Sequence, residues 1–60
     1  MIFRVSFQYS ESVYCSNLAI SDNAKAVEAH YSKYAWYHIE EGNESDLKEA
    51  EEKGKPILRF

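Results

Sequence analysis

Three side chains have the chemistry of a nucleophile or a soft metal ligand: Cys15, His30 and His38. Cysteine catalysis needs a thiolate beside a histidine that takes its proton, with a third group orienting the ring. Cys15 instead alternates with Val13 and Ala19 along one side of an apolar segment, the setting of a small buried hydrophobe. A zinc site of the usual Cys-rich kind needs more ligands than these three residues supply. His38 and Glu40 share one side of an extended segment, but two ligands do not make a metal site. His30 precedes Tyr31 in a helical segment and reads as solvated. Paired carboxylates for acid–base chemistry need a pocket that separates their pKa values, and nothing in the sequence provides one. Gly54-Lys55 lacks the spacing of a phosphate loop and ends a helix instead of starting one. The sequence therefore assigns no catalytic residue, metal or cofactor, and a non-enzymatic protein is expected.

The chemistry that remains is recognition. Aromatic residues make up 15% of the chain, and Tyr31, Tyr34, Trp36 and Tyr37 form the densest cluster. Trp36 and Tyr37 point to opposite faces of any strand that holds both, so a one-sided core takes at most one of them. The other is left for a second chain, since a rigid ring supplies contact area at low entropic cost. Tyr14, on the less regular second strand, and His38, which shares Trp36's face, complete the candidate interface of Tyr14, Trp36, Tyr37 and His38. Stacking on nucleic-acid bases is the rival use of such rings, but it comes with surrounding cations. No Lys or Arg lies between Tyr34 and Asp46, so direct nucleic-acid binding is not expected.

The second recognition feature is charge. The net charge is −3, and it belongs to one segment. Residues 1–39 balance, whereas residues 40–53 set Glu40, Glu41, Glu44, Asp46, Glu49, Glu51 and Glu52 against only Lys48 and Lys53. Such a run is ordinarily a solvated helix face. Its functional alternative is an acidic inhibitor or nucleic-acid mimic that occupies a basic surface of a partner. Mimicry needs carboxylates in line at phosphate-like spacing, which one short helix supplies poorly.

These residues must be positioned by short elements. Phe3, Val5, Phe7 and Tyr9 alternate with Arg4, Ser6 and Gln8, which predicts a strand over 2–9. Ser10-Glu11-Ser12 is a break of hairpin length, and a second strand follows over 13–20 with both faces partly covered. Ser21 is the expected N-cap of a helix over 22–34, with Ala24, Val27, Tyr31 and Tyr34 on one face. Residues 35–40 read as a third strand. Asn43, with Asp46 three residues on, caps a polar surface helix over 44–53 that Gly54 closes. Ile57 to Phe60 forms a fourth strand. The prediction is a single α+β domain over 1–60, ordered β-β-α-β-α-β, with an antiparallel or mixed sheet covered by one main helix on one face.

Length bears on function as well. For 60 residues, burial contributes about 90 kcal/mol, and ordering the chain costs about the same. With a single cysteine, no internal disulfide tips that balance. No apolar run is long enough to span a membrane, and the N-terminus lacks the pattern of a signal peptide, so a cytoplasmic protein is expected. The small acidic format loosely resembles accessory proteins of phages and mobile elements, although no motif adds to that likeness. The leading expectation is a module that works through protein–protein contacts, with a homodimer as one form, and with the partner seated on the sheet face that the first helix leaves open.

Overall fold

Alternation at the N-terminus sets the sheet. β1 (Ile2–Ser10) buries Phe3, Val5 and Phe7 on one side and turns Arg4, Ser6 and Gln8 to the other. In the computed structural model, which describes residues 1–60, β1 folds back through Glu11-Ser12 onto β2 (Val13–Ile20). The register sets Phe3 opposite Ala19, Val5 opposite Asn17 and Phe7 opposite Cys15. It slips once, between Gln8 and Ser10, leaving Tyr9 as a bulged residue at the hairpin end. β3 (Tyr37–Glu41) pairs antiparallel with the other side of β1, and β4 (Ile57–Arg59) pairs parallel with β2 along Leu18–Ile20. The strand order is β3-β1-β2-β4, giving a mixed sheet within an α+β fold.

α1 (Ala24–Tyr31) covers the face formed by the odd-numbered residues of β1. It starts later than the sequence predicts. Ser21 and Asn23 are both capping residue types, and the two divide the work. The buried Ser21 Oγ accepts from the Asn23 amide at 3.0 Å and tightens the turn, while Asn23 Oδ1 caps the helix by accepting from the Lys25 amide at 2.9 Å. The helix also ends early, at Tyr31 and not at Tyr34. The chain must turn there to reach the far side of β1, and the Tyr34 amide closes that turn on the Tyr31 carbonyl at 3.1 Å. Tyr34 still reaches the core from outside the helix, with its ring centroid 4.6 Å from that of Phe7. The third strand is correspondingly displaced to 37–41, leaving Ala35 and Trp36 in the turn.

The core consists of Phe3, Val5, Phe7, Ala19, Val27 and Tyr31, with Cys15, Tyr34, Tyr37, Ile39 and Leu58 packed around it. Asn17 is the polar residue on this face, and its Nδ2 donates to the Tyr31 hydroxyl at 3.1 Å, so neither group is stranded. Burial raises the Tyr31 phenol above its ordinary value of 10.0; the Asn17 hydrogen bond opposes this and the Tyr34 hydroxyl adds to it.

α2 (Glu44–Lys53) lies on the opposite face. Asn43 and Asp46 form a reciprocal capping box, Asn43 Oδ1 accepting from the Asp46 amide at 3.1 Å and Asp46 Oδ2 from the Asn43 amide at 2.9 Å. Gly54 ends the helix in the left-handed conformation at φ 67°. The expectation that the first helix alone covers the sheet, on one face, holds only in part, because α2 covers one end of the other face. Ala50 is buried, and so is Leu18 on the even-numbered side of β2. Ile2 and Arg4, on the same side of β1, approach the chain at Gly42 just before the helix. A helix with a small residue at its contact needs no wide apolar stripe. No helix is long and apolar enough to cross a membrane.

Candidate functional site

α2 covers one end of its sheet face and leaves the other end open. At the open end Tyr14 pairs with Gln8 on β1, and the Gln8 amide donates to the Trp36 carbonyl at 2.9 Å. Tyr14, Gln8 and Trp36 therefore form one row across the sheet. The two rings lean together over Gln8 and meet edge to face, with centroids 5.9 Å apart and planes at 73°. Both remain exposed, Tyr14 at 65% and Trp36 at 47%. The Gln8 side chain is held toward the hairpin, its Nε2 donating to the Glu11 carbonyl at 3.0 Å.

Between the rings and α2 the face is polar. Ser6 and Ser16 lie side by side across β1 and β2, with His38 next to Ser6 on β3. Arg4 Nη2 pairs with Glu40 Oε2 at 2.8 Å, and His38 Nε2 lies 3.1 Å from Glu40 Oε1. Arg4 Nε is 4.0 Å from Asp46 Oδ2, which links this cluster to the start of α2. These pairs are about half exposed, so they orient side chains more than they stabilise the fold. An open groove of about 360 Å³ runs here between sheet and helix, lined by Arg4, Lys55 and His38 together with Glu40, Asp46 and Glu49.

Three of the four candidate interface residues share this face: Tyr14, Trp36 and His38. Tyr37 is on the other side, half-buried against the core, opposite Phe7. The division of Trp36 and Tyr37 between faces follows the alternation read from the sequence, although Trp36 precedes the strand instead of lying in it. The meeting of Tyr14 with Trp36 had no local signal, because it depends on which strands flank β1.

The seven acids do not line one surface. Glu40 belongs to the pairs with Arg4 and His38, whereas Glu41, one residue on, is turned to the core side of the sheet. Asp46 is occupied in the capping box. Glu49 bonds Lys53 at 2.7 Å, and that hydrogen bond and charge hold its carboxyl below the ordinary carboxylate value. Glu44 and Glu51 border a shallow hollow with Ile2 and Leu47, away from the groove, and Glu52 is exposed.

Cys15 and His38 lie on opposite faces of the sheet, since Cys15 is in register with Phe7 and His38 with Ser6. His30 is at the end of α1, its ring edge to face with Phe60 at 5.3 Å. No group of three or more His, Cys, Asp or Glu side chains converges in a way that could hold a metal ion. No protein-family model matches the chain, and neither the curated proteins nor the solved structures give a significant match.

Proposed function

We propose that this chain is a non-enzymatic interaction module that binds a protein partner through the open end of the α2 side of the sheet. The observation that carries the reading is the Tyr14–Trp36 pair, two large rings held against each other, with about two thirds of Tyr14 and about half of Trp36 still exposed. A lone exposed ring is ordinary on a protein surface. Two that brace each other on a rigid sheet are pre-organised, so a partner orders little when it closes over them. The polar floor of Ser6, Gln8 and Ser16 and the mixed charges of the groove supply the hydrogen-bonding rim that surrounds such anchors. The scattering of the acids favours this reading over an acidic inhibitor or nucleic-acid mimic, which needs its carboxylates in one field.

The test is affinity capture from the native host with the wild type and with Trp36→Ala, washed at low and at high salt. A protein held by the wild type at high salt and lost with Trp36→Ala supports the ring anchor. A protein retained by Trp36→Ala and released by salt would shift the reading to the acidic surface.

A further inference from the structure

The outer edge of β3 carries backbone groups that no part of the chain uses. Their direction follows from the bonds on the other side of the strand. Just before β3 the Trp36 carbonyl accepts from the Gln8 amide at 2.9 Å, and just after it the Gly42 amide donates to the Ile2 carbonyl at 2.8 Å. His38 and Glu40 lie between them, opposite Ser6 and Arg4, so the even-numbered residues turn their backbone groups to β1. All peptides are trans, so the odd-numbered residues turn theirs outward. These are the amides and carbonyls of Tyr37, Ile39 and Glu41, and none of them is hydrogen-bonded within the chain. The chain enters and leaves β3 on its β1 side, and no strand lies beyond it. α2 then starts beneath β1, where Asp46 approaches Arg4.

We infer that this edge pairs with the same edge of a second copy, antiparallel about a two-fold axis at Ile39, and joins the two four-stranded sheets into one. An antiparallel pair about a two-fold axis is the self-complementary arrangement for a strand edge. With Ile39 opposite Ile39, Tyr37 lies opposite Glu41 of the second copy, and every outward amide and carbonyl of both strands is used. Charge selects the same register. His38 falls opposite Glu40 of the second copy, and each Glu40 is already held by its own Arg4 at 2.8 Å. Sliding the strands until Ile39 meets Glu41 sets Glu40 opposite Glu40, and one further step sets Glu41 opposite Glu41, where like charges repel. Sliding the other way, until Tyr37 meets Ile39, leaves the Glu41 groups unused. The carboxylates that would discourage a loose edge pairing thus fix this one. Packing agrees, because Tyr37 and Ile39 are only half-buried against the core, and the pairing continues that apolar layer across the seam.

In this register Trp36 falls opposite Gly42 of the second copy, which has no side chain to obstruct it, and its ring leans away from the seam toward Tyr14. The axis stands perpendicular to the sheet, so both Tyr14–Trp36 pairs face the same way, with the two Trp36 positions roughly 20 Å apart along the strands. The dimer presents the ring pair twice on one surface. A five-residue pairing buries well under the roughly 800 Å² per partner of a standard interface, so the dimer forms at micromolar concentrations or above. The proposal goes beyond the ring-face reading and does not depend on it, since it uses only the backbone and side chains of the β3 edge.

The experiment is sedimentation equilibrium on the full chain up to ~1 mM, with Glu41→Pro, Glu41→Ala and Tyr14→Ala alongside and folding checked by circular dichroism. Proline at position 41 removes the outward amide and leaves the bonds of Glu40 and Gly42 to β1 in place. Loss of one hydrogen bond per copy should weaken the dimer about thirtyfold. Glu41→Ala, which removes the charge but keeps the amide, should change it far less. Tyr14→Ala, on the far side of β1 from the edge, should leave it unchanged. Should Glu41→Pro fail to fold, amide exchange in the wild type decides the matter. The Tyr37, Ile39 and Glu41 amides should exchange more slowly as the concentration rises to ~1 mM. Those of Ile57 and Arg59, which face out of β4, should keep their rates. A monomer throughout, equal weakening by Glu41→Pro and Glu41→Ala, or β3 amides indifferent to concentration would overturn the edge pairing. Loss of the dimer in Tyr14→Ala alone would also overturn it, placing self-association on the rings and leaving the module reading intact.

Discussion

Trimming Val27 to alanine is the sharpest probe of how little holds α1 to the sheet. Val27 and Tyr31 are the two residues that the helix buries, and Val27 is 0% exposed. Removing two methyl groups forfeits about 1.6 kcal/mol of transfer free energy. The space left behind, roughly 50 Å³, adds about 1 kcal/mol if the walls do not close on it. Alanine returns about 0.5 kcal/mol in helix propensity. The expected net loss is about 2 kcal/mol. A chain of 60 residues has a total stability of about 3–9 kcal/mol, so this is a large share of it. The corresponding fall in Tm is about 8–16 °C. Urea and thermal unfolding followed by far-UV circular dichroism measure it, at one fixed low protein concentration. Val13→Ala is the matched control, because Val13 is 46% exposed at the start of β2. It loses only strand propensity, under about 1 kcal/mol. If Val27→Ala proved no more costly than Val13→Ala, the packing of α1 on the sheet described above would be refuted.

Asn43→Ala removes half of the capping box and should cost about 1 kcal/mol in chemical unfolding, with the far-UV signal of α2 weakened. Gly54→Ala meets no neighbouring atom but forces an L-residue into φ 67°, so about 1–2 kcal/mol of pure backbone strain is expected by the same assay. Tyr31 gives an alkaline signature. Its phenol is raised in the native state, so its contribution is complete below the unfolded value near 10 and is lost as pH rises through the native one. Unfolding free energies followed from about pH 8 to about pH 11 should fall less steeply in Tyr31→Phe, which at neutral pH is weaker by about 1 kcal/mol for the lost Asn17 bond; equal slopes would refute the assignment.

What the sequence revealed was local. The alternation from Phe3 to Phe7, the Asn43–Asp46 cap and the Gly54 stop each depend on a few neighbouring residues, and each is found where the spacing places it, whereas Tyr9 bulges out of the pattern at the hairpin end and is exposed. The faces of β2 were legible too: Leu18 and Ala19 are both buried, on opposite sides, as a strand covered on both faces requires. The start of α1 was misplaced because Ser21 and Asn23 offer the same capping chemistry, and only the turn geometry decides between them. Its end was misplaced because Tyr34 continues the helical stripe yet reaches Phe7 from a turn. The candidate site was half legible. Trp36 and Tyr37 had to separate, and they do, but the joining of Trp36 with Tyr14 depends on β1 lying between their strands. The resting place of α2 was hidden for a related reason, since Ala50 looks unremarkable until Leu18 is beside it.

The shortness of β4 also has a kinetic consequence. Three residues at the margin of the sheet can detach while the β1–β2 hairpin and α1 stay assembled, because the buried cluster at the centre of the core draws none of its six members from β4. In that partly opened form the backbone of Leu18 to Ile20 is released, and that stretch of the β2 edge is bared. Slow amide exchange should therefore be found in β1 and not at Leu18 or Phe60. The opened chain, more than the globally unfolded one, is the species from which strand-by-strand aggregation would start on storage at high concentration.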